Sequence, residues 1–319
     1  MFDIGGMLVI ATVAVVLVIA AKAASRVRNG VLRWLVLGPS IFIASIAVVL
    51  LITGAVGFEM IDFPGAHPVA AGLKVAPTPE RIARGEQISF ICGECHSTKL
   101  GGPLVGHNFF EGGGPPVGTL YAPNLTPAGE ISAWTDGELI RAIREGVHRD
   151  GRALMVMPSK AFHHMSDEDA QAIVAYLRSR PPAGTRSPAT RMNLVGALFV
   201  GLGAAKTSAQ PSITKPVTAP ERAATSEYGK YLISIGNCAE CHGEDLRGRA
   251  PKLPGPPAAP NMIAITSAWD ADGFVRTFRT GIDPANHKLT GEMPWKSIAG
   301  FASDDDLRAM YAYLRTLRP

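Results

Sequence analysis

Two long apolar runs without charged side chains occupy the first sixty residues, and the rest of the chain has the mixed polar and apolar composition of an ordinary soluble protein. The first run is Ile4 to Ala21 and the second is Trp34 to Gly57. A helix rises about 1.5 Å per residue, so the first run covers about 27 Å, close to the roughly 30 Å hydrocarbon core of a bilayer. The pattern predicts a hairpin of two membrane-spanning helices in contact with membrane lipid, followed by a globular region.

The charges around these runs predict their orientation. The cations between the runs are Lys22, Arg26, Arg28 and Arg33, and the acids outside them are Asp3, Glu59 and Asp62. The positive-inside rule places the connecting loop in the cytoplasm. Both termini, and everything after residue 58, are then expected on the periplasmic side of a bacterial inner (cytoplasmic) membrane. The alternative is a cleaved signal peptide, which places basic residues before its apolar run, where this sequence has none.

The rest of the chain contains an internal repeat at residues 80–180 and 227–319. Each copy presents, in the same order, Cys-x-x-Cys-His, Ala-Pro-Asn, Ser-Ala-Trp, Met-Pro and a serine followed by acidic residues. After each tryptophan, apolar residues at i, i+1, i+4 and i+8 predict an amphipathic helix, and the serine and acids predict the cap of a last helix. The predicted organisation is a hairpin at 1–58, a linker at 59–77, a domain at 78–182, a linker at 183–224 and a domain at 225–319.

The linker between the copies is rich in proline, alanine, serine and threonine, but one segment of it is apolar. Leu194 to Ala205 is only 12 residues long, which is too short to cross a bilayer as a helix. Two predictions remain open for this segment: it packs between the two domains, or it lies on the membrane surface.

The formal net charge of +4 on 319 residues is too small to indicate a nucleic-acid partner, and no basic groove with interleaved aromatic residues is visible. The four cysteines instead form two pairs, each followed by histidine. Cysteines three positions apart can form thioether bonds to the two vinyl groups of one heme, and the histidine then comes under the iron. The two motifs are Cys92, Cys95 and His96, and Cys238, Cys241 and His242.

Three other interpretations of a Cys-x-x-Cys pair are a thioredoxin-like redox pair, a disulfide and half of a zinc site. A redox pair does not need the histidine, and zinc would need two further ligands at similar spacing. The occurrence of the whole motif in both copies favours two covalently bound heme c groups.

Heme iron in electron carriers takes a sixth ligand, usually methionine or histidine. Met157 and Met293 are the candidates, because they occupy equivalent places in the repeat and each precedes a proline that restrains its backbone. The alternative is that a methionine only fills the core. Within the first copy, the competing ligands near Met157 are Met155, Met165, His163 and His164.

With a Cys-x-x-Cys-His motif near the start and Met-Pro before the last helix, residues 78–182 and 225–319 resemble class I cytochrome c domains. The resemblance implies an all-α fold in which the first and last helices cross beside the heme. It also implies proximal ligands at His96 and His242 and distal ligands at Met157 and Met293. The expected architecture is a two-helix transmembrane hairpin followed by two class I cytochrome c domains.

Three segments of the first copy resemble a narrower group of cytochrome c proteins. They are Tyr121 to Pro127, Trp134 to Asp136 and Arg141 to Val147. These segments resemble cytochrome subunits of membrane-bound periplasmic alcohol, aldehyde or sugar dehydrogenases. Such subunits commonly carry three hemes, whereas this chain has two motifs and an N-terminal hairpin. A membrane anchor with two heme c domains is also similar to the diheme subunit of cbb-type cytochrome oxidases.

The expected function is therefore electron transfer in a respiratory chain, and not catalysis. The redox partners expected from the resemblance are a quinol-oxidising complex, a dehydrogenase or a terminal oxidase, with this chain as a subunit of the assembly. The alternative is a diheme peroxidase, which needs one iron with a vacant or displaceable sixth site. The presence of both Met157 and Met293 argues against that enzyme.

Overall fold

The computed structural model describes residues 5–70, 72–251 and 258–317, so Asp3 and Ile4 lie outside the described residues. The chain divides into two compact units, each of which is described by itself. The first unit contains the described residues up to Pro64, together with Asn108–Tyr121 and Ala189–Thr207. The second unit contains Gly65–His107, Ala122–Pro188 and the described residues from Ser208 onward.

The hairpin of the first unit consists of helices α1, Gly5–Ala24, and α2, Gly30–Asp62. Asn29 caps α2, because its side-chain oxygen accepts hydrogen bonds from the backbone N–H groups of the helix's first turn. Both helices are long and apolar enough to cross a membrane. Large apolar side chains such as those of Val9 and Phe42 point outward and are exposed. The sequence prediction of two apolar spanning helices agrees with this architecture.

The apolar linker segment forms a short helix of the first unit, whose position the sequence left open. This helix, Leu194–Gly201, is named α8 according to its place in the chain and packs against the hairpin. Its Leu194 and Ala197 form a buried cluster with Phe58 of α2. The segment before it contributes a two-residue strand, Arg191–Met192, which pairs antiparallel with Gly118–Thr119.

The first copy of the repeat is built from short helices and connecting loops. Its α-helices are α3 Pro79–Ser89, α4 Gly93–His96, α5 Asp136–Glu145, α6 Ser159–Phe162 and α7 Asp167–Ser179. Two 3₁₀ turns, Phe90–Cys92 and Glu130–Ala133, and the two-residue strands His107–Asn108 and Tyr121–Ala122 complete it. The predicted serine cap is present, since the Ser166 hydroxyl accepts from the backbone N–H of Asp169 at 3.1 Å.

The second copy repeats this order. Its helices are α9 Ser226–Ile235, α10 Cys238–His242, α11 Met262–Thr266, α12 Ala271–Thr280, α13 Trp295–Phe301 and α14 Asp304–Thr316. Gly146 ends α5 and Gly281 ends α12, both in the left-handed conformation that glycine readily adopts at a helix end. The strands among the described residues are only two residues long, so the prediction of an all-α class is confirmed.

The first and last helices of each copy cross at a glycine. A Cβ atom on Gly85 of α3 would overlap the backbone carbonyl of Ala172 in α7, and one on Gly229 of α9 would overlap that of Ala309 in α14. The two helices therefore approach to backbone contact, and any larger residue would force them apart. This crossing closes the core on which each Cys-x-x-Cys-His motif is built.

Replacing the crossing glycine with a branched residue should destabilise the second copy. We expect Gly229→Val to lower the free energy of unfolding by about 1–3 kcal/mol or more, because overpacking displaces α9 from α14. Thermal unfolding of the detergent-solubilised chain, followed by circular dichroism, measures this loss. The control is Gly291→Ala, since a Cβ there meets no atom of the described residues within 4 Å. Equal melting curves for the two variants would contradict the close crossing.

Candidate functional site

Each Cys-x-x-Cys-His motif lies on a short helical turn that follows the first helix of its copy. Cys92 ends a 3₁₀ turn and α4 carries Cys95 and His96, whereas α10 holds the whole second motif. All four cysteines lie within the described residues and none forms a disulfide. Burial raises the pKa of the Cys92 and Cys238 thiols to about 12, and the neighbouring cysteine adds to the shift. A redox-active pair shows the opposite, a lowered thiol pKa.

Both histidines are held in the same orientation by a backbone carbonyl. His96 Nδ1 donates to the carbonyl of Pro123 at 2.8 Å, and His242 Nδ1 donates to that of Pro260 at 2.8 Å. Because a carbonyl only accepts, the proton of each neutral ring lies on Nδ1 and the Nε2 lone pair is free. A histidine whose other nitrogen is bound in this way is oriented as a metal ligand.

The Nε2 side of the rings fits a heme iron. His242 Nε2 is buried and has no hydrogen-bond partner among the described residues. Burial lowers the pKa of both histidines, although the hydrogen bond to the proline carbonyl opposes the shift. The rings are therefore kept neutral, with a lone pair available for coordination. A buried nitrogen without a partner is costly, and a metal bond would satisfy it.

The proline carbonyls belong to the repeated Ala-Pro-Asn tripeptides, for which the sequence pattern indicated no role. In the first copy Asn124 is buried, and its amide donates to the carbonyls of Ala183 and Thr185 at 2.7 and 3.0 Å. In the second copy Asn261 caps α11, accepting from Ala264 N–H at 3.0 Å. The asparagine holds the loop that presents the carbonyl. The repetition of the tripeptide in both copies was the feature of the sequence that could have indicated this role.

The two Met-Pro pairs adopt the same tight turn. The carbonyl of Met157 accepts from Ser159 N–H at 2.8 Å, and that of Met293 accepts from Trp295 N–H at 2.7 Å. The prolines have nearly equal dihedral angles, φ −77° with ψ 48° for Pro158 and 51° for Pro294, close to an inverse γ-turn. Both methionines are half-buried and pack against the apolar core. The structure thus places them in equivalent local settings.

The competing ligands of the first copy have other surroundings. Met165 is fully buried in the core, and His164 is exposed. His163 Nδ1 lies 3.2 Å from the carbonyl of Arg144, and Met155 is half-buried in a bend. Among the described residues, no three His, Cys, Asp or Glu side chains lie together as a zinc site requires.

The two copies contact each other through equivalent residues. Tyr231 of α9 donates its hydroxyl to the Asp169 carboxylate at 2.7 Å, and Gln87 of α3 donates its amide to Asp306 at 2.7 Å. Gln87 and Tyr231 each lie two residues after the crossing glycine, and each aspartate lies in the first turn of its last helix. The contact is reciprocal, as in an isologous dimer.

Asp169 lies at the centre of this contact. It is buried and receives two hydrogen bonds of 2.8 Å from the guanidinium of Arg84, besides the one from Tyr231. Burial raises the pKa of Tyr231, and the charge of Asp169 raises it further, so the hydroxyl stays protonated and donates. No sequence pattern signalled this arrangement, since its partners are more than sixty positions apart.

No sequence pattern indicated a role for His67, which lies in the linker after the hairpin. Its Nδ1 lies 2.6 Å from the Glu145 carboxylate at the end of α5, and both side chains are buried. The other oxygen of Glu145 accepts from Ile213 N–H at 2.8 Å. This carboxylate thus joins both linkers to the first copy.

Removal of the Tyr231 hydroxyl should weaken the contact between the copies. We expect Tyr231→Phe to lower the free energy of unfolding by about 1–3 kcal/mol, because a hydrogen bond to a buried carboxylate is lost. Guanidinium-induced unfolding of the purified chain measures the change. The matched control is Tyr313→Phe in α14, which removes a hydroxyl outside this contact. If the two variants unfold at the same denaturant concentration, the Tyr231 hydrogen bond does not contribute the proposed free energy to stability.

Comparison with known proteins agrees with this geometry. The family model described as cytochrome c matches residues 82–181 and 226–318, which together are more than half of the chain. The relatives include a nicotinate dehydrogenase subunit of Pseudomonas putida, 30% identical over 261 residues, and the alcohol dehydrogenase (quinone) cytochrome c subunit of Gluconobacter oxydans, 27% identical over 299 residues. The gluconate 2-dehydrogenase cytochrome c subunit of Pantoea cypripedii is 31% identical over 179 residues.

These three matches cover 74%, 83% and 50% of this chain. They cover 21%, 59% and 37% of the relatives, so the chain spans from about a fifth to about three fifths of their length. The predicted resemblance to cytochrome subunits of dehydrogenases is confirmed by the names of the relatives.

Proposed function

Because the chain belongs to the cytochrome c family, whose members bind heme c covalently and transfer electrons, we propose that it is the diheme cytochrome subunit of a membrane-bound dehydrogenase. In this role it is the electron-transfer subunit, and another subunit carries the catalytic site. The observation that carries the proposal is the pair of matched histidines, each bound through Nδ1 to a proline carbonyl.

We assign one heme c to each copy of the repeat. In the first copy the thioether residues are Cys92 and Cys95, and the axial ligands are His96 and Met157. In the second copy they are Cys238 and Cys241, with His242 and Met293. The buried Nε2 of His242, which has no hydrogen-bond partner among the described residues, and the closely similar Met-Pro turns support this assignment.

Bound heme c supplies an iron that takes up and releases one electron. The protein contributes the surroundings of that iron. The proline carbonyls hold the histidine rings neutral and oriented, and the methionines raise the potential of the site. If Met157 and Met293 hold the sixth positions, no coordination site would be left for peroxide, which disfavours the peroxidase alternative.

The place of this electron transfer follows from the hairpin and from the relatives. Two apolar helices support a membrane anchor, and the cations of the loop support a periplasmic location of both copies. Relatives named as cytochrome c subunits of dehydrogenases support a dehydrogenase as electron donor. We infer that the electrons pass from this donor to a quinone pool or a terminal oxidase.

Purification of the tagged chain from solubilised membranes tests this function. We expect two covalently attached hemes by mass spectrometry, one heme in the double variants Cys92→Ser/Cys95→Ser and Cys238→Ser/Cys241→Ser, and a copurified dehydrogenase subunit. A motif without its two thiols cannot form thioether bonds to a heme. A chain without covalent heme, or one that rapidly consumes peroxide and shows a high-spin iron, would overturn the proposal.

The sixth ligands are tested separately. We expect Met157→Ala and Met293→Ala each to lower one reduction potential by roughly 100 mV or more, a part of the roughly 0.8 V range that axial ligands set. Potentiometric titration followed by absorption spectroscopy measures the change, together with a shift of one heme toward high spin. Met155→Ala and Met165→Leu serve as controls and should leave both potentials in place. An unchanged potential in Met157→Ala would transfer the role to another residue of the first copy.

A further inference from the structure

Helix α8 is apolar on every side. Its sequence from Leu194 to Gly201 contains no polar side chain. A helix of this kind is normally buried all round. One side is buried against the hairpin, but on the other side Val195 and Phe199 are each 38% exposed and Leu202, just after the helix, is 70% exposed. The exposed side needs an apolar occupant.

The docking of α8 on the hairpin is close and uses glycines of both partners. A Cβ on Gly57 of α2 would overlap the carbonyl of Ala197, and a Cβ on Gly201 would overlap the carbonyl of Thr53. Small residues that bring helix backbones together are typical of packing inside membranes. Helix α8 is therefore firmly packed on the hairpin and is not a loosely attached linker.

The position of α8 along the hairpin corresponds to the edge of a bilayer. It contacts the start of α1, through Gly6, and the end of α2, through Gly54 and Gly57. This is the end at which the chain leaves the hairpin, opposite the cationic loop. About 20 helical residues cross the hydrocarbon core, and counted from Trp34 this distance ends close to Gly54. Helix α8 thus crosses α2 where hydrocarbon meets headgroups.

The surroundings of the exposed side match lipid. On α2, Ile52 and Val56 are exposed in the same region and extend the apolar surface of the hairpin. Two exposed cations flank α8 in the sequence, Arg191 before it and Lys206 after it. Cations at this depth suit the phosphates of anionic headgroups, while the apolar side chains between them suit acyl chains.

We propose that α8 is a second membrane attachment, lying in the interface with Val195, Phe199 and Leu202 among the acyl chains of the outer leaflet. Because α8 lies in the linker between the two cytochrome domains, the chain is tied to the bilayer before and after its first domain. This attachment does not depend on the identity of the electron donor or on the axial ligands.

Photolabelling tests the proposal on the full heme-containing chain. The chain is placed in vesicles of phosphatidylethanolamine and phosphatidylglycerol that contain a phospholipid with a diazirine in its acyl chain. Trypsin then releases Met192–Lys206, which holds the whole of α8, for mass spectrometry. We expect label on this peptide and on the hairpin, and none on the tryptic peptide that carries Ile265, an exposed apolar residue of the second domain.

The double variant Phe199→Asn/Leu202→Asn should reduce the label on this peptide at least about fivefold, because the amide groups favour water over hydrocarbon. Ile265→Asn, a matched change at an exposed apolar site, should leave it unchanged. The heme spectrum and the label on the hairpin report folding and insertion of each variant. Loss of label from α8 in a variant with unaltered spectrum and hairpin label supports the proposal.

A second measurement uses cleavage at an engineered protease site between Gly65 and Ala66, both of which are exposed. After cleavage the heme-containing fragment should stay with the vesicles, and the double variant should release at least about fivefold more of it. An unlabelled α8 peptide beside a labelled hairpin would overturn the proposal. Label in vesicles but not in native membranes would also overturn it, since a protein subunit would then cover this side.

Discussion

The hydrogen bond from each histidine Nδ1 to a proline carbonyl is the interaction on which the candidate heme sites depend. It fixes the tautomer and the orientation of the ring, so that Nε2 is the nitrogen left for iron. His96 and His242 have the same 2.8 Å contact although their loops are held differently, by a buried Asn124 in one copy and by an Asn261 helix cap in the other. Both copies therefore share the proline carbonyl, whereas the contacts that hold its loop differ between them.

Packing determines where the Cys-x-x-Cys-His motifs lie. The motif follows the first helix of each copy, and that helix is held against the last helix at Gly85 or Gly229. The first and last helices also carry Gln87, Tyr231 and the two aspartates through which the copies meet. One crossing therefore shapes the core of each domain and the contact between them. In the proposed diheme protein, this coupling would hold the two heme sites at a constant separation.

The membrane element serves the same requirement. A hairpin alone would leave both domains on one tether, whereas a lipid-bound α8 would add a second tether between them. In the proposed role as a dehydrogenase subunit, restricted movement would favour electron transfer, because it raises the effective concentration of the subunit near its membrane-bound partner. In this arrangement the exposed side chains of Val195 and Phe199 would contact the acyl chains of the bilayer.

Local pattern in the sequence was enough to predict the apolar helices and the serine caps, and to locate the repeat and its Cys-x-x-Cys-His motifs. Each of these is visible in contiguous residues, as an apolar run, a short motif or a motif that occurs twice. The tertiary structure alone decided that α8 packs on the hairpin, that Pro123 and Pro260 orient the histidines, and that Tyr231 meets Asp169. These contacts join residues that are far apart in the chain, and neither periodicity nor spacing records which distant surfaces will meet.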